Sequence, residues 1–316
     1  MDGDLFHHGE HEAQMRAGVQ VHGAPIRDWM PDQHRLFFAQ LPILFAAVAD
    51  EAGWPVATAL AGPPGFVSSP DEHTLHIAGL PSWDDPAGAG LRAGAPAGLL
   101  GIDLGTRRRN RANGTVLAVD GHGFTVGVRQ SFGNCPQYIQ AREVEGGKAP
   151  NRAGAAERLD GLDAQARALI AGADTFFVAS GFVASGSGMD GRDAGGLDMS
   201  HRGGRPGFVR VDGDVLTIPD FRGNRYFNTL GNLLLDPRAG LLFVDFASGG
   251  LLHLQGQAEL DWDGGAASGF AGAERLWRVR VTAGWRRPGA LAMRWAFRSY
   301  APTTERTGGW NAPDDG

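Results

Sequence analysis

Apolar and polar residues alternate in short runs along most of this chain, and glycine, proline, aspartate and asparagine bound the runs. That pattern predicts strands. In the first half they fall at 56–60, 65–69, 74–79, 98–104, 115–120 and 124–128. In the second half they fall at 175–180, 207–211, 215–219, 240–246, 251–260 and 278–284. Helical periodicity is confined to a few stretches. These are Glu10–Gly18, Pro31–Ala52 with Pro31 suited to a first turn, and a segment near 157–172 that follows a linker at 146–156. Asn228, Leu230, Leu233 and Leu234 predict one more amphipathic helix from about Arg225 to Leu235, stopped by Asp236-Pro237.

The two strand-rich runs repeat each other. Pro64-Gly65-Phe66-Val67 recurs as Pro206-Gly207-Phe208-Val209, and Ala97-Gly98-Leu99-Leu100 followed by Asp103 recurs as Ala239-Gly240-Leu241-Leu242 followed by Asp245. Asn113-Gly114 recurs as Gln255-Gly256 at the same offset of 142 residues, with a one-residue slip between Leu75 and Leu216. Chance matches do not hold register over so long a stretch. The expectation is two copies of one all-β unit, residues 1–150 and 151–316, a duplication and not a solenoid of short repeats.

The copies differ at one place. Between Ile218 and Ala239 the second reads PDFRGNRYFNTLGNLLLDPR, with Arg222, Asn224 and Arg225 ahead of the helix. A helix start with arginines and free backbone N–H groups suits an anion. The first copy has Asp84-Asp85 there, which would repel one.

Composition narrows the chemistry. Lys148 is the only lysine, so no P-loop lysine follows a glycine loop and any anion falls to arginine forks. A net charge of -6 speaks against nucleic acid as a partner. Cys135 alone forms no internal disulfide or multi-cysteine metal site. No run reaches the ~18 apolar residues of a membrane span, and the acidic N-terminus does not read as a signal peptide. A cytoplasmic protein is expected.

The stretch SHRGGRPGFVRVDGDVLTIPDFRGNRYFNTLGNLLLDPRAGLLFVDF resembles the FMN-binding core of the pyridoxamine 5′-phosphate oxidase-like split barrels. It is nearest to the predicted flavin-nucleotide-binding subgroup, whose pattern runs D-x-S-P-R-G-x-x-P-G-F-V, P-D-x-x-G-N, N-x-L-x-N-P. TRRRNRANG (106–114) and SFGNCPQYI (131–139) extend the resemblance, which covers about residues 35–260. It implies a mainly β fold of two tandem antiparallel split β-barrels with a few peripheral helices. It also implies an FMN-dependent oxidoreductase acting on a small-molecule substrate or electron donor.

By this resemblance Arg222, Asn224 and Arg225 hold the FMN phosphate with Thr229 nearby, while Ser200, His201, Arg202 and Gly203 line the ribityl chain or ring. Relatives place flavin between two barrels of a homodimer. Here the repeat supplies both barrels, so the first half adds Arg109, Arg111, Asn134 and Gln137, and a further homodimer stays open. The chain departs from the pattern at His201, where relatives have proline, and at Leu251 and His253, where they carry a polar residue and arginine. The C-terminal Arg-x-His pair of true pyridoxamine phosphate oxidases is not recognisable in ALAMRWAF (290–297). A non-catalytic flavin-binding or electron-carrier module, or a binder of deazaflavin or haem, are the alternative functions.

Several features carry a sharp and a bland reading. Gly186–Gly191 matches G-x-G-x-x-G, yet poor helix material follows, so a glycine-rich turn is preferred. His7, His8, Glu10 and His11 have a zinc-like spacing but read better as a polar helix cap. The cluster Arg107, Arg108, Arg109, Arg111 is either a solvated hairpin or an anion contact, strand alternation sending Arg109, Arg111 and Asn113 to one face. By the offset that face matches Leu251, His253 and Gln255, and the two strands are expected to approach one cleft. Cys135 is expected to be buried and unreactive, and the tryptophans, among them Trp277, Trp285 and Trp295, to serve core and interface. His201 is the one residue beside the motif expected to titrate near neutrality.

Overall fold

The computed structural model describes residues 6–21, 23–145, 154–183, 195–262 and 269–310. Lys148, most of the 146–156 linker and the Gly186–Gly191 motif lie outside the described residues. The fold is mainly β, with a curled half-barrel sheet and five helices among the described residues.

The first half contributes β1 (Ile43–Ala49), β2 (Pro55–Ala61), β3 (Val67–Ser68), β4 (Thr74–Ile77), β5 (Pro96–Asp103), β6 (Arg108–Val119) and β7 (Phe124–Gly133). They form an antiparallel sheet in the order β2-β1-β5-β6-β7-β4-β3. After β8 (Ala141–Val144) and β9 (Glu157–Leu159) come β10 (Thr175–Val183), β11 (Gly195–Gly203), β12 (Arg210–Asp212), β13 (Val215–Phe221), β14 (Arg238–Asp245), β15 (Gly250–Asp261) and β16 (Ala273–Arg287). The second sheet runs β11-β10-β14-β15-β16-β13-β12, with β9 added beside β16. Element for element, the order is that of the first sheet. The last strand, β17 (Trp295–Ser299), pairs with β8 as a separate ribbon. The helices are α1 (His8–Arg16), α2 (Asp32–Gln40), α3 (Ala164–Gly172), α4 (Asn228–Leu235) and α5 (Pro302–Glu305).

Three helix expectations change. The stretch Pro31–Ala52 is helical only over α2, and Ile43–Ala49 is strand β1. Pro42 ends the helix, and ILFAAVA is buried along nearly its whole length; such a run, apolar on both faces, is what a strand enclosed on two sides looks like. The segment near 157–172 divides into β9 and α3, with Asp163 as N-cap accepting from the Ala166 amide. The helix expected from Arg225 begins at Asn228. Strands β3 and β12 are shorter than expected because Pro64-Gly65 and Pro206-Gly207 make turns there, with the glycines at φ 95° and 85°.

Each sheet wraps its own core, around Phe38, Leu75 and Val126 in the first half and Phe176, Phe243 and Trp277 in the second. A third apolar cluster joins them. Its centre is Phe45 of β1 stacked on Phe177 of β10, ring centroids 3.6 Å apart. The two residues hold equivalent places, each two positions before the alanine that pairs with Gly98 or Gly240. Those glycines mark reciprocal contacts. A Cβ on Gly98 would lie 2.4 Å from the Leu197 carbonyl oxygen, and one on Gly240 would lie 2.4 Å from that of Pro55. Leu197 and Pro55 are again equivalent strand positions. The halves thus meet about an approximate two-fold axis, which places β6 of the first beside β11 of the second.

Candidate functional site

A cavity of about 110 Å³ lies at that junction of β6 and β11. Arg109 and Arg111 enter it from β6, and Asn134 and Gln137 from the loop after β7. Ser200, His201, Arg202 and Gly203 of β11 form the facing wall, and Asn224, Arg225 and Thr229 close it from the loop and helix α4. The structure therefore brings together eleven of the twelve residues singled out in the sequence. Arg222 is the exception. It is exposed and off the wall, and its backbone carbonyl accepts the Tyr138 hydroxyl at 3.1 Å.

Alternation along β6 aims Arg109, Arg111 and Asn113 at β11. Arg111 donates to Ser200 Oγ at 2.8 Å, to Asn228 Oδ1 at 3.2 Å and to Asp198 Oδ1 at 3.4 Å. Asn113 and Asn232 donate to the same Asp198 carboxylate. Thr229 Oγ1 donates to Ser200 Oγ at 2.8 Å. On the other side Asp220 holds both Arg202 and Arg275. Arg107 instead leaves the site for the Ile139 carbonyl and Ser299, and Arg108 lies over Phe37.

Arg109, like Arg225 on the same lining, is a cation left over from the ion pairs among the described residues. Among the described residues it has no carboxylate within ion-pair reach, and its contact is Nη1 donating to His201 Nδ1 at 3.2 Å. Burial, Arg111 and Arg202 push its guanidinium down to about 9. Accepting that bond requires His201 neutral at Nδ1, and burial together with Arg109, Arg142 and Arg202 holds its pKa well below the ordinary histidine value. His201 therefore does not titrate near neutrality, contrary to the sequence expectation. The buried Nε atoms of Arg109, Arg111 and Arg202, with His201 Nε2, find no partner among the described residues.

The backbone is strained here as well. Four non-glycine residues have positive φ among the described residues: Arg107, Tyr138, Arg225 and Phe227. Three of them line the cavity. Such conformations cost roughly 1–3 kcal/mol each and persist where the surroundings enforce them. Phe227 caps α4 with no side-chain bond, and Asn228–Leu230 of the first turn line the cavity.

Behind α4 stands α1. Gly9 and Gly231 let the two helices touch: a Cβ on Gly9 would lie 2.4 Å from the Gly231 carbonyl oxygen. This contact buries Glu10, which accepts from Asn228 Nδ2 and from the His7 amide. Burial and nearby Asp198 push its carboxyl up to about 8. His7 and Glu10 form a capping box, so the polar-cap reading of the N-terminal histidines holds. No group of metal-ligating side chains occurs among the described residues.

Glu10, Asn228, Tyr138, Asp220 and Arg275 were not singled out in the sequence as cofactor-site residues. Asp198 stands in the quoted D-x-S pattern and was legible as a same-face neighbour of Ser200. Arg275 was not, because it meets Asp220 only through the β13–β16 register.

The equivalent place in the first half is filled by the chain itself. Thr58, in the position of Ser200, donates to Asp85 Oδ2 at 2.6 Å, and Arg287 Nη1 donates to the same oxygen at 2.6 Å. Asp84 pairs with Arg287 as well. The aspartates thus act as an internal counterion and do not present bare negative charge. His253 and Gln255 belong to this second place, bonding the Ala57 carbonyl and Asp50. The face of Arg109 and Arg111 and the face of His253 and Gln255 therefore do not share one cleft; the two-fold relation sends each to a different one. Two smaller expectations also change: Cys135 is exposed, and so is Trp83, at 91%, whereas Trp277 and Trp295 are buried.

A phosphate fits what is present: a cationic, donor-rich cavity with unpartnered guanidinium nitrogens and a helix start. The enclosed volume is below the ~300–1,000 Å³ of sites that envelop a drug-sized ligand. On the same lining Tyr138 and Phe221 stack 5.2 Å apart, and Gly223 and Asn224 are exposed.

No family model matches the chain, and no curated protein matches it. Among solved structures, HupZ of Group A Streptococcus matches 40% of this chain and 98% of its own at 13% identity, with a TM-score of 0.30. A FAD-binding protein of Mesorhizobium loti matches 42% of this chain and 97% of its own at 11% identity and a TM-score of 0.25. MrkH of K. pneumonia, in complex with c-di-GMP, matches 83% and 87% at 10% identity and 0.22. At these scores the likenesses assign no residue of the cavity.

Proposed function

We propose that this protein is an FMN-binding flavoprotein of the pyridoxamine 5′-phosphate oxidase-like split-barrel kind, built by duplication, with one flavin phosphate held between its halves. The observation that carries the reading is the arginine trio Arg109, Arg111 and Arg202, whose Nε atoms are buried without a partner among the described residues and in which Arg109 has no carboxylate within ion-pair reach. Arg109 and Arg111 from one half, with Arg202, Ser200, Thr229 and the free amides of α4 from the other, hold the phosphate. Asn134, Gln137, Asn224 and Arg225 lie further out, toward the ribityl chain and ring. Because both walls come from one chain, the site does not need a homodimer.

Bound FMN supplies hydride or single-electron transfer, and the protein supplies binding, orientation and electrostatics. Neutral His201 keeps Arg109 aimed into the cavity and does not serve as an acid at neutral pH. We therefore assign an oxidoreductase that exchanges electrons with a small-molecule donor or substrate. A second reading, a flavin-carrying module served by a reductase, is favoured by that same fixed neutrality of His201.

The experiment is to denature purified protein, saturated with FMN and desalted, and to identify and count what is released. The expected result is about one FMN per chain. Release of haem or a deazaflavin, or no retained flavin, would overturn the proposal. Turnover of a reductant by the loaded protein alone then separates enzyme from carrier.

A further inference from the structure

Glu10 of α1 does not line the cavity, yet it reaches the cavity wall through one residue. Asn228 Nδ2 donates to Glu10 Oε1, and Asn228 Oδ1 accepts from Arg111 Nη1 at 3.2 Å. Both Asn228 and Arg111 are on the lining. Glu10 itself is 2% exposed.

The charges around it do not balance. Asp198 of β11 pairs with Arg111 of β6 at 3.4 Å and accepts from Asn113 and Asn232 besides. Glu10 has no arginine within ion-pair reach among the described residues; its one candidate is His7 of its own helix, with Nε2 3.6 Å away. Burial depresses His7 to about 4, so that ring is neutral near pH 7 and above. Helix α4 faces Glu10 with neutral Asn228 and Gly231, and β10 sets Phe182 against His7. Two carboxylates therefore share one guanidinium, and Glu10 is the one without it.

We propose that Glu10 is a proton-linked positioning residue of the phosphate site, taking one proton from solvent when a phosphate dianion binds at Arg111. This rests on the phosphate reading given above. A dianion there adds negative charge to a buried cluster already holding one carboxylate too many, and burial leaves the repulsion weakly screened. Asp198 keeps its three donors and stays ionised, so Glu10 is the group that neutralises. Protonated Glu10 still accepts from Asn228 at Oε1, so Arg111 keeps its aim while the excess charge is shed. Burial and Asp198 push the Glu10 carboxyl up to about 8 before any ligand arrives, so near that pH a large share is ionised and can take up the proton.

The measurement is calorimetric titration of FMN at pH 8 in two buffers of different ionisation enthalpy, which gives the protons exchanged per flavin bound. The second proton of the FMN phosphate, with a pKa of ~6, is already gone at that pH. Arg109, pushed down to about 9, adds a smaller uptake that Glu10→Gln retains. Wild type should take up roughly half a proton more per FMN than Glu10→Gln, the ionised share where pH and pKa coincide. Riboflavin, without a phosphate, should show no such excess. Equal uptake by wild type and Glu10→Gln, with FMN bound to both, overturns the inference and leaves the phosphate site standing. If Glu10→Gln does not fold, the wild type decides alone: equal proton uptake with FMN and riboflavin overturns the link. FMN that does not bind in either buffer overturns the phosphate reading, and this inference with it.

Discussion

Partial burial takes water from Arg109 while Arg111 and Arg202 repel it, so the protein without ligand carries a charge it would fold more easily without. Arg109→Met should therefore leave the melting temperature of the ligand-free protein unchanged or higher, and weaken FMN tenfold or more. A thermal melt and a flavin titration on the same variant check both halves of that statement. Glu10 gives a pH test. Its folded-state pKa, about 8, is raised above the unfolded value, so its contribution is fully present below about pH 4.3 and is lost as pH rises through 8. His7, depressed to about 4, acts the opposite way below its unfolded value near 6.5. The clean window is therefore pH 6.5 to 8, where wild-type stability should fall with rising pH and Glu10→Gln should flatten the curve, as read by denaturant midpoints. Of these residues Arg109 was legible, because strand alternation gave it a face. Glu10 was not: its capping-box role shows in HGEH, but its burial needs a helix 218 residues away.

At the scale of elements, the site depends on α1 lying against α4. Gly9→Ala would raise helix propensity by about 1 kcal/mol in an isolated helix. Here the added methyl meets the Gly231 carbonyl, a backbone atom that cannot rotate away. The variant should release α1, seen as faster amide exchange over His8–Arg16 and weaker FMN binding. Faster exchange without any change in binding would show that α1 does not support the cavity. Most strands could be read from the period-2 pattern and their bounding turns. Ile43–Ala49 could not, since a strand buried on both faces has no alternation to show and follows a helix with only Leu41-Pro42 between. The start of α4 was misplaced because Arg225 and Phe227 adopt left-handed backbone, which the sequence does not announce for such residues.

For the whole molecule, the repeat offset led to the expectation of two copies of one all-β unit, and the two sheets share one strand order. It did not anticipate how they join. Reciprocal packing at Gly98 and Gly240 produces two equivalent junctions, one lined by arginines and one occupied by Asp85, Thr58 and Arg287. Asp85 stands as the first junction's own anion, so one chain should take one flavin. The most direct test of a phosphate site between the halves is a parallel titration of FMN and riboflavin, which differ only by the phosphate. FMN should bind at least tenfold more tightly, with a dissociation constant that weakens as salt rises. Equal affinities for the two flavins, at any salt, would contradict the account.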